Sequence, residues 1–167
     1  MENLSTFSVF QKSARFNHQK NRIMTTNFAH PIIDKYIEYN EFGKLLGIDF
    51  TIEKPGICTY SILVDSKHSA IPKVAHGGFV AALMDATMGV GALSLVCQHM
   101  KVVSTIEIKT SFFNPVLINS VIICQSQCIR QGKSILFMEA ELKDSTNRLL
   151  AKGSGSFNAY PAESALF

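Results

Sequence analysis

The sequence lacks most of the short motifs that identify a bound metal or nucleotide. It has no Walker loop, no G-x-S-x-G motif and no Rossmann glycine pattern, and its histidines show no metal-like spacing. None of its four cysteines forms a C-x-x-C pair; they are Cys58, Cys97, Cys124 and Cys128. We therefore predict no metal site. We expect the cysteines to be reduced core residues, since most of them lie in apolar runs.

The sequence also lacks a secretory signal and a basic stripe in its folded part. The first thirty residues contain no apolar run of the length that export requires, so we predict a cytoplasmic protein. They carry four basic side chains and one acid, which accounts for the net charge of +3 of the whole chain. A nucleic-acid-binding domain usually spreads basic charge over its folded surface, so we expect no nucleic-acid partner. A regulator whose basic tail binds DNA is the less favoured alternative, because thirty residues without a helix-turn-helix pattern are too few for a reader domain.

Length and composition predict one domain. The chain has 167 residues, of which 47% are hydrophobic and 17% are charged, and this suits a single core. We divide it into a flexible basic N-terminal extension (1–30), an α+β domain (31–160) and a C-terminal tail (161–167). A weak likeness of residues 3–30 to an organelle transit peptide is the alternative interpretation of the extension.

Hydrophobic periodicity predicts the elements of the domain. An amphipathic helix is expected from residue 32, on the spacing of Ile33, Tyr36, Ile37 and Phe42. Strands over 48–52 and 57–64, joined by the turn Pro55-Gly56, predict a hairpin. Four further strands are predicted over 102–113, 119–130, 134–143 and 149–160.

Residues 77–97 form the longest apolar segment of the chain. The segment is too long for an ordinary strand, and a charged Asp85 in mid-membrane would cost about 2.5 to 3.5 kcal/mol. We predict no membrane span but a helix that is surrounded by protein on most sides. The order of helix, two strands, buried helix and four strands predicts a curved antiparallel sheet wrapped around one long central helix.

The start and the middle of this helix hold the candidate site. Gly77 and Gly78 open it, where free N–H groups and the positive end of the helix dipole suit a developing oxyanion. The alternative is that the glycines only allow tight packing. An ionised Asp85 is costly to bury without partners, which predicts a catalytic base or nucleophile. The alternative is a structural aspartate that is hydrogen-bonded to a hydroxyl such as that of Thr87 or Thr105.

The spacing of Gly77 and Asp85 predicts a site shared between two chains. The eight positions between them correspond to about 12 Å along the helix axis, so they cannot act on one carbonyl within one chain. If both act on the substrate, the acid comes from a second chain, and the functional unit is a dimer with two symmetric sites. His76, which precedes the helix, is either a ligand or base or a capping residue.

These residues resemble a known family. The sequence His76-Gly77-Gly78, with Asp85 nine positions after the histidine and in this order of elements, resembles the hotdog-fold thioesterases. It is most similar to the PaaI-like group, which is related to 4-hydroxybenzoyl-CoA thioesterase. The resemblance covers residues 31–160. It includes Ser104-Thr105-Ile106-Glu107-Ile108, Phe113-Asn114-Pro115, Arg130-Gln131-Gly132-Lys133-Ser134 and Ala151-Lys152-Gly153.

The resemblance implies hydrolysis of an acyl-CoA to the free acid and CoA, with CoA as part of the substrate and no separate cofactor. It implies that the Gly77 N–H polarises the carbonyl, that Asp85 of the partner subunit is base or nucleophile, that Thr105 orients water and that His76 places the thioester. The implied substrate contacts are Gly78, His68, Ser69, Arg130 and Lys133, the last two meeting the phosphates of CoA. A dimer or a dimer of dimers is expected. The alternative function is an acyl-CoA-binding protein without catalytic activity.

One position departs from the family pattern. Relatives usually carry an asparagine six positions before the histidine, where this chain has Ala70. Alanine cannot hydrogen-bond a water or a thioester, so either the site tolerates the loss or the activity is reduced or redirected. Ser69 or His68 could substitute if the loop is shifted. Phe79, Met84 and Met88 are expected either to line an apolar pocket or to pack in the core.

Overall fold

Two short helices open the part of the chain that the structure describes, residues 28–165 of a computed structural model. Helix α1 spans Pro31–Tyr39 and helix α2 spans Glu41–Leu46. Asn40 separates them, and its side-chain oxygen accepts a hydrogen bond of 2.9 Å from the Gly43 N–H at the start of α2. The single helical face predicted through Phe42 is therefore wrong, because the chain turns at Asn40 and leaves the Phe42 side chain 60% exposed. Most of the predicted N-terminal extension lies outside the described residues.

A six-stranded antiparallel sheet follows, interrupted by one long helix, α3 (Gly77–Val96). Its strand order is β1-β2-β6-β7-β8-β5, and a separate small hairpin pairs β3 with β4. The strands span Asp49–Lys54 (β1), Ile57–Leu63 (β2), Ser69–Ile71 (β3), Val74–Ala75 (β4), Lys101–Phe112 (β5), Val121–Gln131 (β6), Ile135–Asp144 (β7) and Leu149–Pro161 (β8). The predicted long helix and six longer strands are confirmed, with ends that differ by one or two residues.

Helix α3 lies against the concave face of this sheet and forms the centre of the core. Leu83, Met84 and Met88 on α3 are fully buried, as are Leu136 and Leu142 on β7. Met84, Met88 and Phe79 are thus core residues. The helix and its following turn are long and apolar enough to cross a membrane, but 67% of the most apolar stretch is buried inside the domain. The curved antiparallel sheet around a central helix is the predicted architecture.

Strand β5 is an edge strand and is less regular than its sequence predicts. Its register against β8 shifts between Thr105, which pairs with Phe157, and Glu107, which pairs with Ser156. The shift breaks the alternation of buried and exposed residues along the strand, and the side chains of Ile106 and Phe112 are 56% and 55% exposed.

The loop before α3 and the end of the described chain contain structure beyond the predicted elements. The loop before α3 contains a single turn of 3-10 helix at Ser66–His68 and the β3–β4 hairpin, neither of which was predicted. At the other end, Ala162 and Ala165 pack against the core, and the Ala162 N–H donates to the Met100 carbonyl at 2.9 Å. The folded part therefore continues to Ala165 and past the predicted boundary at residue 160. All four cysteines are free, and Cys58, Cys97 and Cys124 are buried.

Candidate active site

The first turn of α3 has one backbone N–H that remains available. His76 is the N-cap, and its Nδ1 accepts a hydrogen bond of 2.8 Å from the Gly78 N–H. The N–H groups of Phe79 and Val80 donate to the His76 carbonyl at 3.0 and 3.3 Å. Among the described residues, no acceptor is present for the Gly77 N–H. His76 thus accepts the hydrogen bonds of the neighbouring donors. The Gly77 N–H, which was predicted to polarise the thioester carbonyl, stays free.

His76 itself has the geometry of the capping alternative. Because Nδ1 accepts from Gly78, the neutral ring carries its proton on Nε2. The His76 N–H donates to the His68 carbonyl at 2.7 Å, which ties the residue to the preceding loop. The side chain is exposed. Nε2 has no partner in the described part of the chain, so the capping histidine can still donate one hydrogen bond to a bound molecule.

Asp85 lies on the open side of α3, about two turns after Gly77. It is half-buried in the single chain, on a helix that was predicted to be surrounded by protein on most sides. Neighbouring residues on this face are small and leave the carboxylate accessible. Its Oδ1 accepts a hydrogen bond of 2.9 Å from the Thr105 hydroxyl on β5. The Thr87 hydroxyl donates instead to the Leu83 carbonyl at 2.6 Å. Of the two hydroxyls considered for Asp85, the structure selects Thr105.

The electrostatic influence of Asp85 reaches helix α1. Burial raises the pKa of Tyr36, and the negative charge of Asp85 adds to that increase. The Tyr36 hydroxyl accepts a hydrogen bond of 3.0 Å from the Asn40 side chain. The negative charge of Asp85 is therefore close enough to the Tyr36 hydroxyl to influence its pKa.

A cleft of about 330 Å³ lies beside Gly77. It is formed by the β4 region, the first turn of α3, the end of β5 and the loop that follows. Its walls are Val74, Ala75, Gly77, Val80, Phe112, Phe113, Asn114, Pro115 and Val116. Phe112 closes one side, since its Cζ would lie 3.7 Å from a Cβ atom placed on Gly77. Except for Gly77, these residues were not predicted as site residues; Phe113-Asn114-Pro115 was noted only as part of a family signature.

The loop residues proposed to replace the missing asparagine have structural roles. His68 is 3% exposed and stacks on Phe79 with ring centroids 4.1 Å apart. Its Nδ1 accepts from the Asp65 N–H at 3.0 Å, and its Nε2 lies 2.8 Å from the Leu46 carbonyl. Both ring nitrogens of His68 thus have partners within the single chain, at the position predicted to contact substrate. The exposed Ser69 hydroxyl donates to the Ser66 carbonyl at 2.7 Å, beside the equally exposed Ala70.

The two predicted phosphate contacts lie at the other end of α3. Arg130 and Lys133 are exposed, at the end of β6 and in the turn that follows. Cys128, two residues before Arg130, and Leu95 on the last turn of α3 both lie next to Gly56. Leu95 is about 27 Å along the helix from Gly77. One chain therefore does not bring these cations to the Gly77 cleft.

The middle of the chain is similar to known proteins. The family model described as the thioesterase superfamily matches residues 73–151, which include α3 and β5–β7. A protein of Saccharolobus solfataricus with a provisional esterase name is 34% identical over 84 residues, which are 50% of this chain and 58% of that protein. The match thus spans less than two thirds of that relative. Acyl-coenzyme A thioesterase 13 of Mus musculus is 24% identical over 119 residues, 66% of this chain and 83% of the mouse protein.

Solved structures share the fold. The PaaI protein of E. coli, from the phenylacetic acid degradation operon, has a TM-score of 0.71 at 18% identity, over 77% of this chain and 90% of that one. A hypothetical thioesterase of Streptococcus pneumoniae, solved with coenzyme A, has a TM-score of 0.63 at 17% identity, over 68% of this chain and 86% of that one. The predicted architecture is confirmed.

Proposed function

We propose that this chain is a thioesterase that hydrolyses an acyl-CoA to the free acid and CoA, at a site shared between two subunits. The match of residues 73–151 to the thioesterase superfamily model and the fold shared with the PaaI protein support this proposal. The observation that carries the proposal is the Gly77 N–H, which has no acceptor among the described residues and opens on an apolar cleft. A donor held in advance at a helix N-terminus stabilises the oxyanion of an acyl-transfer intermediate. The CoA bound to the streptococcal structure supports CoA as the carrier group.

The second subunit is proposed from two uncovered surfaces of the single chain. The long strand β5 lies at the sheet edge, where its outward N–H and C=O groups can pair with another strand. One face of α3 is incompletely covered and carries mainly small residues, which let a second helix approach closely. These residues are Gly78, Ala81, Ala82, Asp85, Ala86 and Gly89.

Antiparallel pairing of two α3 helices centred on Ala81 would bring the components of the site together. A two-fold axis at that position sets Gly77 of one subunit beside Asp85 of the partner subunit. The same symmetry gives two equivalent sites. Because Gly77 and Asp85 of one helix are about 12 Å apart, they can act on the same carbonyl only if one of them comes from the second subunit.

We propose that Asp85 acts as a general base. Because the Thr105 hydroxyl donates its proton to Asp85 Oδ1, the Thr105 oxygen and Asp85 Oδ2 can both accept hydrogen bonds from one water molecule. Asp85 takes a proton as the water oxygen attacks the carbonyl carbon, and the Gly77 N–H stabilises the resulting oxyanion. The C–S bond then breaks, and the CoA sulfur receives the proton from Asp85.

Asp85→Asn tests the enzymatic proposal. Turnover of a panel of acyl-CoA thioesters should fall about 100-fold or more, because general-base catalysis contributes at least that factor. Glu163→Gln, at an exposed acid far along the chain, is the matched control and should keep wild-type rates. Equal rates in wild type and Asp85→Asn would contradict the catalytic role. Binding without turnover in wild type would favour the acyl-CoA-binding alternative.

Isotope labelling distinguishes a base from a nucleophile. In a single turnover in ¹⁸O-water, a general base directs solvent oxygen into the acid product. A nucleophilic carboxylate first forms a mixed anhydride, whose hydrolysis at the Asp85 carbonyl leaves ¹⁸O in the protein. Mass spectrometry of the peptide that contains Asp85 should find no label. A labelled peptide would contradict the general-base role.

A further inference from the structure

The Gly77 cleft has an apolar wall with few polar groups available. Five of its residues present aliphatic or aromatic side chains of appreciable size: Val74, Val80, Phe112, Phe113 and Val116. Val80 and Val116 are 2% and 5% exposed, so they form a fixed floor, whereas Phe112 and Phe113 are more than half exposed and form the rim. The shape is that of an apolar slot that opens beside the free Gly77 N–H.

The single polar side chain in the wall already has a hydrogen bond at each of its two polar atoms. Asn114 donates from Nδ2 to the Leu149 carbonyl at 2.7 Å, and its Oδ1 accepts a hydrogen bond from the Arg148 guanidinium. The backbone N–H groups of Phe113 and Asn114 both donate to the Leu150 carbonyl, at 2.9 and 3.1 Å. The Ala75 N–H donates to the Val116 carbonyl at 2.9 Å. These hydrogen bonds hold the loop against β8 and β4, and the three backbone N–H groups are unavailable to a ligand.

The apolar lining of the cleft suits the two parts of an acyl-CoA, the acyl group and the pantetheine arm, to different degrees. The pantetheine arm carries two amide groups, and burying either one without a hydrogen-bond partner costs free energy. A hydrocarbon acyl group requires no polar partner beyond the donor at its carbonyl, which Gly77 supplies. The cleft therefore suits the acyl group better than the pantetheine arm.

Resting on the proposed function, we propose that this cleft is the acyl pocket and that it selects an unsubstituted hydrocarbon acyl group of medium length, with Phe113 as a specificity-determining residue. A pocket with an apolar floor and rim, whose one polar side chain is already hydrogen-bonded to β8 and Arg148, discriminates against a hydroxyl or amino substituent. The cleft has a volume of about 330 Å³, so it can hold only part of a long acyl chain. We therefore expect the gain in affinity with chain length to end once the cleft is filled.

Binding of non-hydrolysable thioether analogues tests the pocket separately from catalysis. S-butyl-, S-hexyl-, S-octyl- and S-(8-hydroxyoctyl)-CoA are titrated calorimetrically into the full chain, with CoA itself as reference. Affinity should rise by about threefold to fourfold for each added methylene. The terminal hydroxyl should weaken binding of the octyl analogue by about tenfold to 100-fold. Equal affinity along the series, or equal binding of the hydroxylated analogue, would overturn the proposal.

Phe113→Ala tests whether the chain-length dependence of binding arises in this cleft. The side chain is 56% exposed, so the substitution removes pocket wall with little loss of core. S-octyl-CoA should bind at least fivefold more weakly, and S-butyl-CoA less than twofold. Phe137→Ala, at a 45% exposed phenylalanine on β7 away from the cleft, is the control and should match wild type. Identical effects of the two substitutions would contradict the assignment.

The results of these experiments distinguish a failure of the acyl-pocket proposal from a failure of the proposed thioesterase activity. Chain-length-dependent binding without hydrolysis of any thioester would contradict the proposed function and support the pocket. Hydrolysis with a chain-length-independent affinity would support the function and contradict the pocket.

Discussion

The Thr105 hydroxyl donates a hydrogen bond of 2.9 Å to Asp85 Oδ1 within a single chain. The pair connects the open face of α3 to the edge strand β5, next to the register shift between Thr105 and Glu107. Thr105 itself keeps the regular pairing with Phe157 that precedes the shift. The sheet thus holds in place the hydroxyl that orients the carboxylate.

Removal of this hydroxyl should lower turnover with little effect on KM. In Thr105→Val, Asp85 loses one hydrogen bond and the attacking water loses one acceptor, so kcat should fall about tenfold to 100-fold. Thr105→Ser keeps the hydroxyl and should retain most of the activity. Steady-state kinetics on one acyl-CoA measure both variants.

Two results would contradict a positioning role for Thr105. One is equal loss of kcat in the serine and valine variants, which would indicate a packing effect of the methyl group. The other is an unchanged kcat in Thr105→Val. Thr51→Val, at an exposed threonine on β1, is the control for a hydroxyl-to-methyl change on a strand.

The sequence predicted the elements that have a long, regular pattern. Helix α3 and the buried positions 136, 138, 140 and 142 of β7 follow directly from apolar periodicity. The break at Asn40 was missed because Ile33, Tyr36, Ile37 and Phe42 fit one helical face, although asparagine is a good N-cap residue. The bulge in β5 was missed because an added residue leaves no compositional sign.

In the candidate site, the residues along α3 could be predicted from the sequence, whereas those contributed by tertiary packing could not. Gly77, His76 and Asp85 follow from their positions on one helix. Phe112 and Phe113 reach the cleft only because the end of β5 folds back over the start of α3. The engagement of both His68 nitrogens depends on Leu46 and Asp65, whose proximity to the ring is set by the folded loop.

Gly77→Pro should abolish oxyanion stabilisation without unfolding the helix. Gly77 is the first helical residue, a position where proline is favoured because its missing N–H has no helical partner. His76 has φ −70° and ψ 137°, which is compatible with a following proline. We expect kcat to fall about 100-fold to 1,000-fold.

Gly77→Ala provides the matched control, because it adds a Cβ but keeps the N–H. That Cβ would lie 3.7 Å from Phe112 Cζ, an ordinary contact. Circular dichroism and thermal melting should show both variants folded. If the proline and alanine variants turn over substrate equally, the Gly77 N–H is not the oxyanion donor.

The buried thiols should make the fold less stable at alkaline pH. Burial raises the pKa of Cys124 to about 12, and burial also raises the pKa of Cys58 well above its usual value. The native chain therefore keeps these protons while an unfolded thiol loses its proton near pH 8.5. Stability is fully present below about pH 8.5 and decreases as the pH rises towards 12, since the native state then binds more protons.

Urea unfolding at pH 7.5 and pH 10 measures this dependence. In Cys124→Ala the free energy of unfolding should start lower, owing to the cavity, but should fall less between the two pH values than in wild type. An identical decrease in both proteins would show that Cys124 does not contribute. Alkylation by iodoacetamide at pH 8 should be slow in the native protein and fast in urea.

Mixed dimers provide the decisive prediction for the shared site. In a heterodimer of a Gly77→Pro chain and an Asp85→Asn chain, one site loses both groups and the other retains Gly77 from one subunit and Asp85 from its partner. Two inactive homodimers should therefore give a heterodimer with about half of the wild-type activity, because one of two symmetric sites is intact. Co-expression with two different affinity tags isolates the heterodimer, and light scattering reports whether it is a dimer or a dimer of dimers. A site contained in one chain would leave each subunit with one defect, and the heterodimer would then be as inactive as its parents. Recovery of activity requires that the roughly 12 Å between Gly77 and Asp85 on one helix is bridged by a second copy of that helix.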